Sequence, residues 1–173
     1  MLATHRDAEN RYSAIRRMTL QSAQSKLNQR PEYANLILKE FDEKAISAFL
    51  LWEKTGKRRV GWDWAKGYSD FKFRYPKRFE LAIWHKNSLA SLTLGRPTYA
   101  GTALRLDFIE ANPENPEDIK VFPIALFAMM IYAEALGATS LRVMKPINDE
   151  VMKYYESVGL VYVPNGDYLH MRL

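Results

Sequence analysis

The chain has 173 residues, 47% of them apolar and 26% charged. That is enough for one domain with a substantial core, and it excludes global disorder. No run of about 18 apolar residues is present, so no membrane-spanning helix is indicated. The polar N-terminus MLATHRDAENRYSAIRR does not read as a secretory leader. With no cysteine, disulfides, thiolate metal sites and cysteine nucleophiles are excluded, and a cytoplasmic protein of bacterial or viral origin is expected. The formal charge of +5 is unevenly divided: residues 1–78 hold 17 Lys and Arg against 9 Asp and Glu, residues 79–173 hold 8 against 11. A basic N-terminal part and a mildly acidic C-terminal part are the result.

In chain order, residues 5–28 read as a weakly amphipathic helix that stops before Arg30-Pro31. In residues 32–55, Ala34, Ile37, Leu38, Phe41, Ala45, Ala48, Phe49 and Trp52 recur at helical spacing. Gly56 suits the position after a last turn, so one helix is predicted there. In the basic stretch KRRVGWDWAKGYSDFKFRYPKR, Phe71, Phe73 and Tyr75 alternate with Lys72 and Arg74, which predicts a strand with one wet face. Interleaved aromatics and cations also suit single-stranded nucleic acid. Residues 54–78 are therefore a candidate surface for nucleic acid or an acidic protein, against the alternative of solvated faces.

From residue 79 the order is regular. FELAIWHK, a turn at Asn87-Ser88 and LASLTLGRPT predict a hairpin. Residues 104–111 predict a strand, 119–136 an apolar helix stopped by Gly137, 139–144 a strand, 148–158 a helix, and 160–163 with 167–173 a closing hairpin. The helix between strands 104–111 and 139–144 makes those two parallel, so a ligand crevice is expected at the carboxyl end of strand 104–111. The expected fold is α/β: a mixed, mostly antiparallel sheet flanked by helices.

Several chemistries lack their motifs. His5, His85 and His170 stand apart with no metal-ligand spacing, and no metal is expected. There is no G-x-S-x-G, P-loop or G-x-G-x-x-G pattern. The crevice position is filled instead by ANPENPEDIKVFP (111–123), which carries three acids, three prolines and no glycine. Glu114, Glu117 and Asp118 are expected to favour the start of the following helix through its dipole, and to oppose a phosphate there.

The element order from residue 79, together with PINDEVMKYYESVGL, resembles the GNAT superfamily of acyl-CoA-dependent N-acyltransferases. Asn148, Tyr155 and Gly159 keep that family's intervals, with Leu160 where Phe is usual. The resemblance divides the chain into an N-terminal helical extension (1–31) and a GNAT-like domain (32–173), and it implies acetyl-CoA or another acyl-CoA as donor and an amine as acceptor. It implies that Tyr155 acts as general acid toward the leaving thiolate, that Asn148 turns toward the donor or merely caps its helix, and that the backbone of Ile109 to Ala111 binds the pantetheine like an added strand. Tyr154 is expected on another face. The acceptor amine needs a base. Leu104, Leu106, Phe108 and Glu110 fall on one strand face, so Glu110, ending an apolar row, is the candidate. The family's glycine-rich pyrophosphate loop falls on residues 117–122, where Glu117, Lys120 and Phe122 stand in place of Arg or Gln and two small residues. Only Lys120 remains to meet a phosphate. Two functions follow: an N-acyltransferase with an atypical loop, or a GNAT-like fold that binds partners without catalysis.

Overall fold

The computed structural model describes residues 4–173. The helices are α1 (His5–Leu27), α2 (Glu43–Lys54), α3 (Trp64–Arg74), α4 (Val121–Ala135) and α5 (Asp149–Ser157). The strands are β1 (Leu36–Lys39), β2 (Phe79–His85), β3 (Ser88–Pro97), β4 (Ala103–Ala111), β5 (Ser140–Met144), β6 (Val161–Val163) and β7 (Tyr168–Arg172). They form one seven-stranded sheet in the order β1-β2-β3-β4-β5-β7-β6, antiparallel except for the β4–β5 pair. No helix among the described residues is long and apolar enough to cross a membrane.

Strand alternation separates two cores. Leu81 and Ile83 of β2 point to the side covered by α1, α4 and α5, while Ala82 and Trp84 point to the side covered by α2 and α3. Helix α4 is apolar nearly all round and lies deep in the first core. It ends in a Schellman motif: Gly137 takes φ 77°, its N–H donates to the Glu134 carbonyl, and the Ala138 N–H donates to Ala133. Helix α1 adds Leu20, Ala23 and Leu27 to the same core. It is tied to β2 by buried charge: the Glu9 carboxylate accepts from Arg78 at 2.7 and 2.8 Å and from Arg16 at 2.8 Å. Arg16 also donates to Glu40 at 2.9 Å, and Arg78 to buried Glu80 at 3.1 Å.

Two predicted elements differ. The single helix over 32–55 is a turn at Pro31–Tyr33, strand β1 and helix α2. Residues 36–39 pair with β2, burying Leu36 and Leu38 and exposing Ile37 and Lys39, while Asp42 accepts from the Ala45 N–H at 2.7 Å and begins α2. The outer edge of β1 is closed by the Gln24 side chain, which accepts from the Leu38 N–H at 2.7 Å and donates to the Leu36 carbonyl at 3.0 Å. Sheet pairing overrode the helical spacing. The predicted strand around 71–75 is the end of α3, which Asp63 caps by accepting from the Lys66 N–H at 3.0 Å. The governing pattern is Trp64, Tyr68, Phe71 and Tyr75, at intervals of four, three and four residues. Trp64, Tyr68 and Phe71 pack in the second core and Tyr75 packs on Phe71 at 4.8 Å, while Phe73 is the one large aromatic left exposed on residues 54–78.

The register of β4 carries the main irregularity. Leu94 pairs with Phe108 but Gly95 with Leu106, so Asp107 is an extra residue bulged out of β4. The bulge inverts the alternation. Leu104 and Leu106 face the α4 core, whereas Phe108 packs on Trp62 and Glu110 meets Trp64 on the other side. Leu104, Leu106, Phe108 and Glu110 therefore do not share a face, contrary to the period-2 reading. Gly95 permits this approach, because a Cβ there would lie 2.3 Å from the Arg105 carbonyl oxygen. Gly95→Ala is expected to cost about 1–3 kcal/mol through overpacking. Gly61→Ala, with nothing within 4 Å, stays within about 0.5 kcal/mol of the parent. Parallel denaturant titrations of the two variants check the difference.

Candidate functional site

Strands β4 and β5 pair only from Ala103–Ser140 to Leu106–Val143. Beyond the Asp107 bulge they diverge. β5 leaves the sheet at Lys145, which takes φ 45° and donates its N–H to the Asp167 carbonyl at 2.9 Å. The gap is a cavity of about 580 Å³. Ile109 and Ala111 form one wall and Val143 with Pro146 the other, Val121 and Tyr155 close the α4–α5 side, and Arg59 and Trp62 arch across from the α2–α3 loop.

The free edge of β4 has a defined polarity. The Asn112 N–H donates to the Ala90 carbonyl at 2.8 Å. Backbone groups alternate along an antiparallel strand, so residues 110 and 108 also face β3, and Ile109 and Ala111 turn their N–H and C=O groups into the gap. The expectation for Ile109 and Ala111 has this geometric basis.

The acidic turn is anchored by its asparagines. Asn112 Nδ2 donates to the Leu89 carbonyl at 2.9 Å, Asn115 Nδ2 donates to Ala90 at 2.8 Å, and Asn112 Oδ1 accepts from the Glu114 N–H at 2.9 Å. The expectation that the acids start the helix is corrected. α4 begins at Val121 with no acid in its first turn and no side-chain cap, while Glu114, Glu117 and Asp118 stay exposed in the preceding turn. Lys120 occupies the cap position, exposed, on the cavity rim. Phe122 lines the cavity from the α4 side. It is buried and stacks on Tyr155 with centroids 4.0 Å apart.

Tyr155 is itself buried beside the cavity. Burial, and secondarily the neighbouring Tyr154, pushes its phenol up to about 12, so it stays protonated far above neutral pH. Tyr154, expected on another face, lines the same cavity and lies edge-on to Phe122 at 6.0 Å; burial raises its phenol too. Asn148 caps α5, accepting from the Val151 N–H at 2.9 Å. It is exposed and away from the cavity lining, so of the two roles open to it the structure shows the cap.

Glu110 is not a free base. Its carboxylate accepts from Arg58 Nε at 2.7 Å, Arg58 Nη2 at 2.9 Å and Trp64 Nε1 at 2.6 Å, and its side chain is 5% exposed. Three donors occupy it, and its work is to pin the α2–α3 loop over the site: Arg58 also donates to the Trp62 carbonyl and lies over the Phe49 ring at 4.7 Å. The carboxylate that sequence reasoning missed is Asp107. It borders both this cavity and a second one of about 450 Å³ on the α3 side. It pairs with Arg105, with Arg96 Nε 3.3 Å away, and burial raises its carboxyl above the usual range against those cations. Only the bulge gives it this place, and no motif signals it. No group of His, Asp and Glu suited to a metal ion occurs among the described residues.

No family model and no curated protein sequence matches the chain. Solved structures do. Ard1 from Thermoplasma volcanium superposes with a TM-score of 0.62 at 16% identity, over 80% of this chain and 98% of that one. The ribosomal-protein-S18-alanine N-acetyltransferase from Escherichia coli gives 0.57 at 13%, over 80% and 92%. The spermidine N-acetyltransferase SpeG from Vibrio cholerae gives 0.56 at 12%, over 80% and 94%. Likeness at such identities is likeness of architecture, and the architecture is that of the acetyltransferases the C-terminal motif resembles: the fold of this chain is the GNAT fold.

Proposed function

We propose that the protein is an N-acyltransferase that moves an acyl group, most simply acetyl, from a pantetheine thioester such as acetyl-CoA to an amine. The observation that carries this reading is the parting of β4 and β5 at Asp107, which leaves the backbone of Ile109 and Ala111 unpaired against a cavity that reaches Tyr155. An amide-bearing arm completes such an edge as another strand would, one N–H and one C=O at a time. The thioester supplies an activated acyl carbon and a sulfur leaving group.

The chain's own residues divide the remaining work. Ile109 and Ala111 fix the arm along β4. Tyr155 presents a protonated phenol from a buried position, and the same apolar wall penalises an ionic sulfur. A hydroxyl beside it meets the charge as it develops. The acceptor enters from the α3 side, where the second cavity reaches the Asp107 bulge between Trp62 and Phe108. The amine loses its proton to solvent or to Asp107; Glu110 holds the loop.

Thiol release from acetyl-CoA, assayed with a panel of amines, tests the proposal. Release that depends on an added amine supports it. No release, with no binding of the thioester at millimolar concentration, would leave a partner-binding protein without catalysis. Tyr155→Phe is expected to lower kcat about 100-fold while donor affinity stays within about twofold. Glu110→Gln should do the opposite, removing about 3 kcal/mol or more of stability by breaking a buried pair and leaving kcat within about threefold. A combined kinetic and thermal-denaturation comparison separates the two roles.

A further inference from the structure

Resting on the acyltransferase reading, we infer that the acceptor is an amine that also carries a carboxylate, an amino acid in the broad sense. Its carboxylate docks on the paired guanidiniums of Arg96 and Arg105 in the second cavity, and its amine points along β4 toward the thioester.

Arg96 of β3 and Arg105 of β4 stand directly opposite each other in the sheet. Like charges so placed repel, and here a single carboxylate holds them together. Asp107 Oδ1 accepts from Arg105 Nε at 2.7 Å, and Arg96 Nε lies 3.3 Å from Asp107 Oδ2. Two guanidiniums against one carboxylate leave one positive charge in excess. Both Nη groups of Arg96 and Nη1 of Arg105 have no other hydrogen bond or ion pair among the described residues. The two side chains remain 29% and 26% exposed and both line the cavity. Arg74, exposed at the end of α3, lines it too and has no ion pair among the described residues. Guanidinium forks fixed side by side match the two oxygens of a carboxylate.

The cavity also has a direction. At one end Arg96 lies over the Tyr75 ring at 4.4 Å, and Arg74 precedes Tyr75 in the chain. At the other end Trp62 packs on Phe108 at 5.2 Å, and Trp62 and Asp107 line the thioester cavity as well. A carboxylate held by the arginines therefore leaves the amine directed to the shared end, where Asp63 follows Trp62. The charged lining is balanced: Asp63, Asp70 and Asp107 stand against Arg74, Arg96 and Arg105. A lining of zero net charge with both signs present suits a ligand bearing one charge of each sign, and suits a polyamine or a phosphate dianion less. Between the ends, the half-buried rings of Tyr68, Phe71 and Phe108 offer apolar surface to the acceptor's carbon skeleton.

Two matched pairs of amines test the inference, phenylalanine against phenethylamine and 6-aminohexanoate against hexylamine, by calorimetric titration and by thiol release from acetyl-CoA. In at least one pair the carboxylated member is expected to bind about tenfold or more tightly and to raise kcat/KM in the same proportion. Equal binding and equal use within both pairs would overturn the inference and leave the acyltransferase reading standing. Tighter binding of the carboxylated member without thiol release would keep the amino-acid site and remove the acyltransferase reading, and no binding of any of the four would overturn the inference outright. Arg96→Gln is expected to lower the preference for the carboxylated member about tenfold, and an unchanged preference would overturn the role given to the arginine pair. If that half-buried substitution prevents folding, the exposed Arg74→Gln decides: a preference lowered about threefold supports the inference, and an unchanged one counts against it.

Discussion

The bulge at Asp107 is the constraint on which the site depends. One extra residue in β4, opposite a glycine that no side chain can replace without striking the Arg105 carbonyl, has three consequences. It inverts the faces of residues 108–111, it ends the pairing with β5, and it sets a buried carboxylate between two cavities. β5 in turn leaves the sheet at Lys145, so the pairing stops at Leu106–Val143 and the outer backbone edge at Ile109 and Ala111 stays free. The cavity is thus a by-product of interrupted pairing, and the strand's other edge, still bonded to β3, keeps its walls rigid.

Around this gap the protein invests its charged side chains in scaffolding. Arg58 and Glu110 lock the α2–α3 loop over the cavity, and Glu9, Arg16, Arg78 and Glu80 join α1 to β2 beneath the sheet. Buried pairs of this kind cost much when one partner is lost and little when both are replaced, so they secure a particular arrangement more than they raise net stability. What else lines the cavity is backbone edge, the phenols of Tyr154 and Tyr155, the cations Lys57, Arg59, Lys120 and Lys145, and a carboxylate already engaged by two arginines. Positioning and water exclusion account for more of such a site than acid–base machinery does.

The acidic turn takes its meaning from this setting. Its asparagines staple it to the Leu89 and Ala90 carbonyls of β3, its prolines limit its freedom, and its acids remain in water. It is a well-held connection next to a free backbone edge.

Much of the fold was legible in the sequence. Strong periodicity and clear stops identified β2, β3, β5, α4 and α5, and the connection through α4 required β4 and β5 to be parallel. The element order from residue 79, together with the intervals of Asn148, Tyr155 and Gly159, announced the GNAT arrangement. Local pattern misled where two periods overlapped. Leu36 to Lys39 fit a helix until β2 offered its edge, and Phe71, Phe73 and Tyr75 fit a strand although Asp63 and the rings at 64, 68, 71 and 75 wrote a capped helix. The site was less legible, because its defining event is a register shift. Which residue bulges depends on how β3 and β4 align, a non-local matter that no single segment encodes. Sequence therefore determined the order of elements and the character of the turn at 111–123. Tertiary structure decided that Glu110 is bound rather than basic, that Phe122 turns inward, and that Ile109 and Ala111 face an open edge, since each depends on a partner brought from elsewhere in the chain.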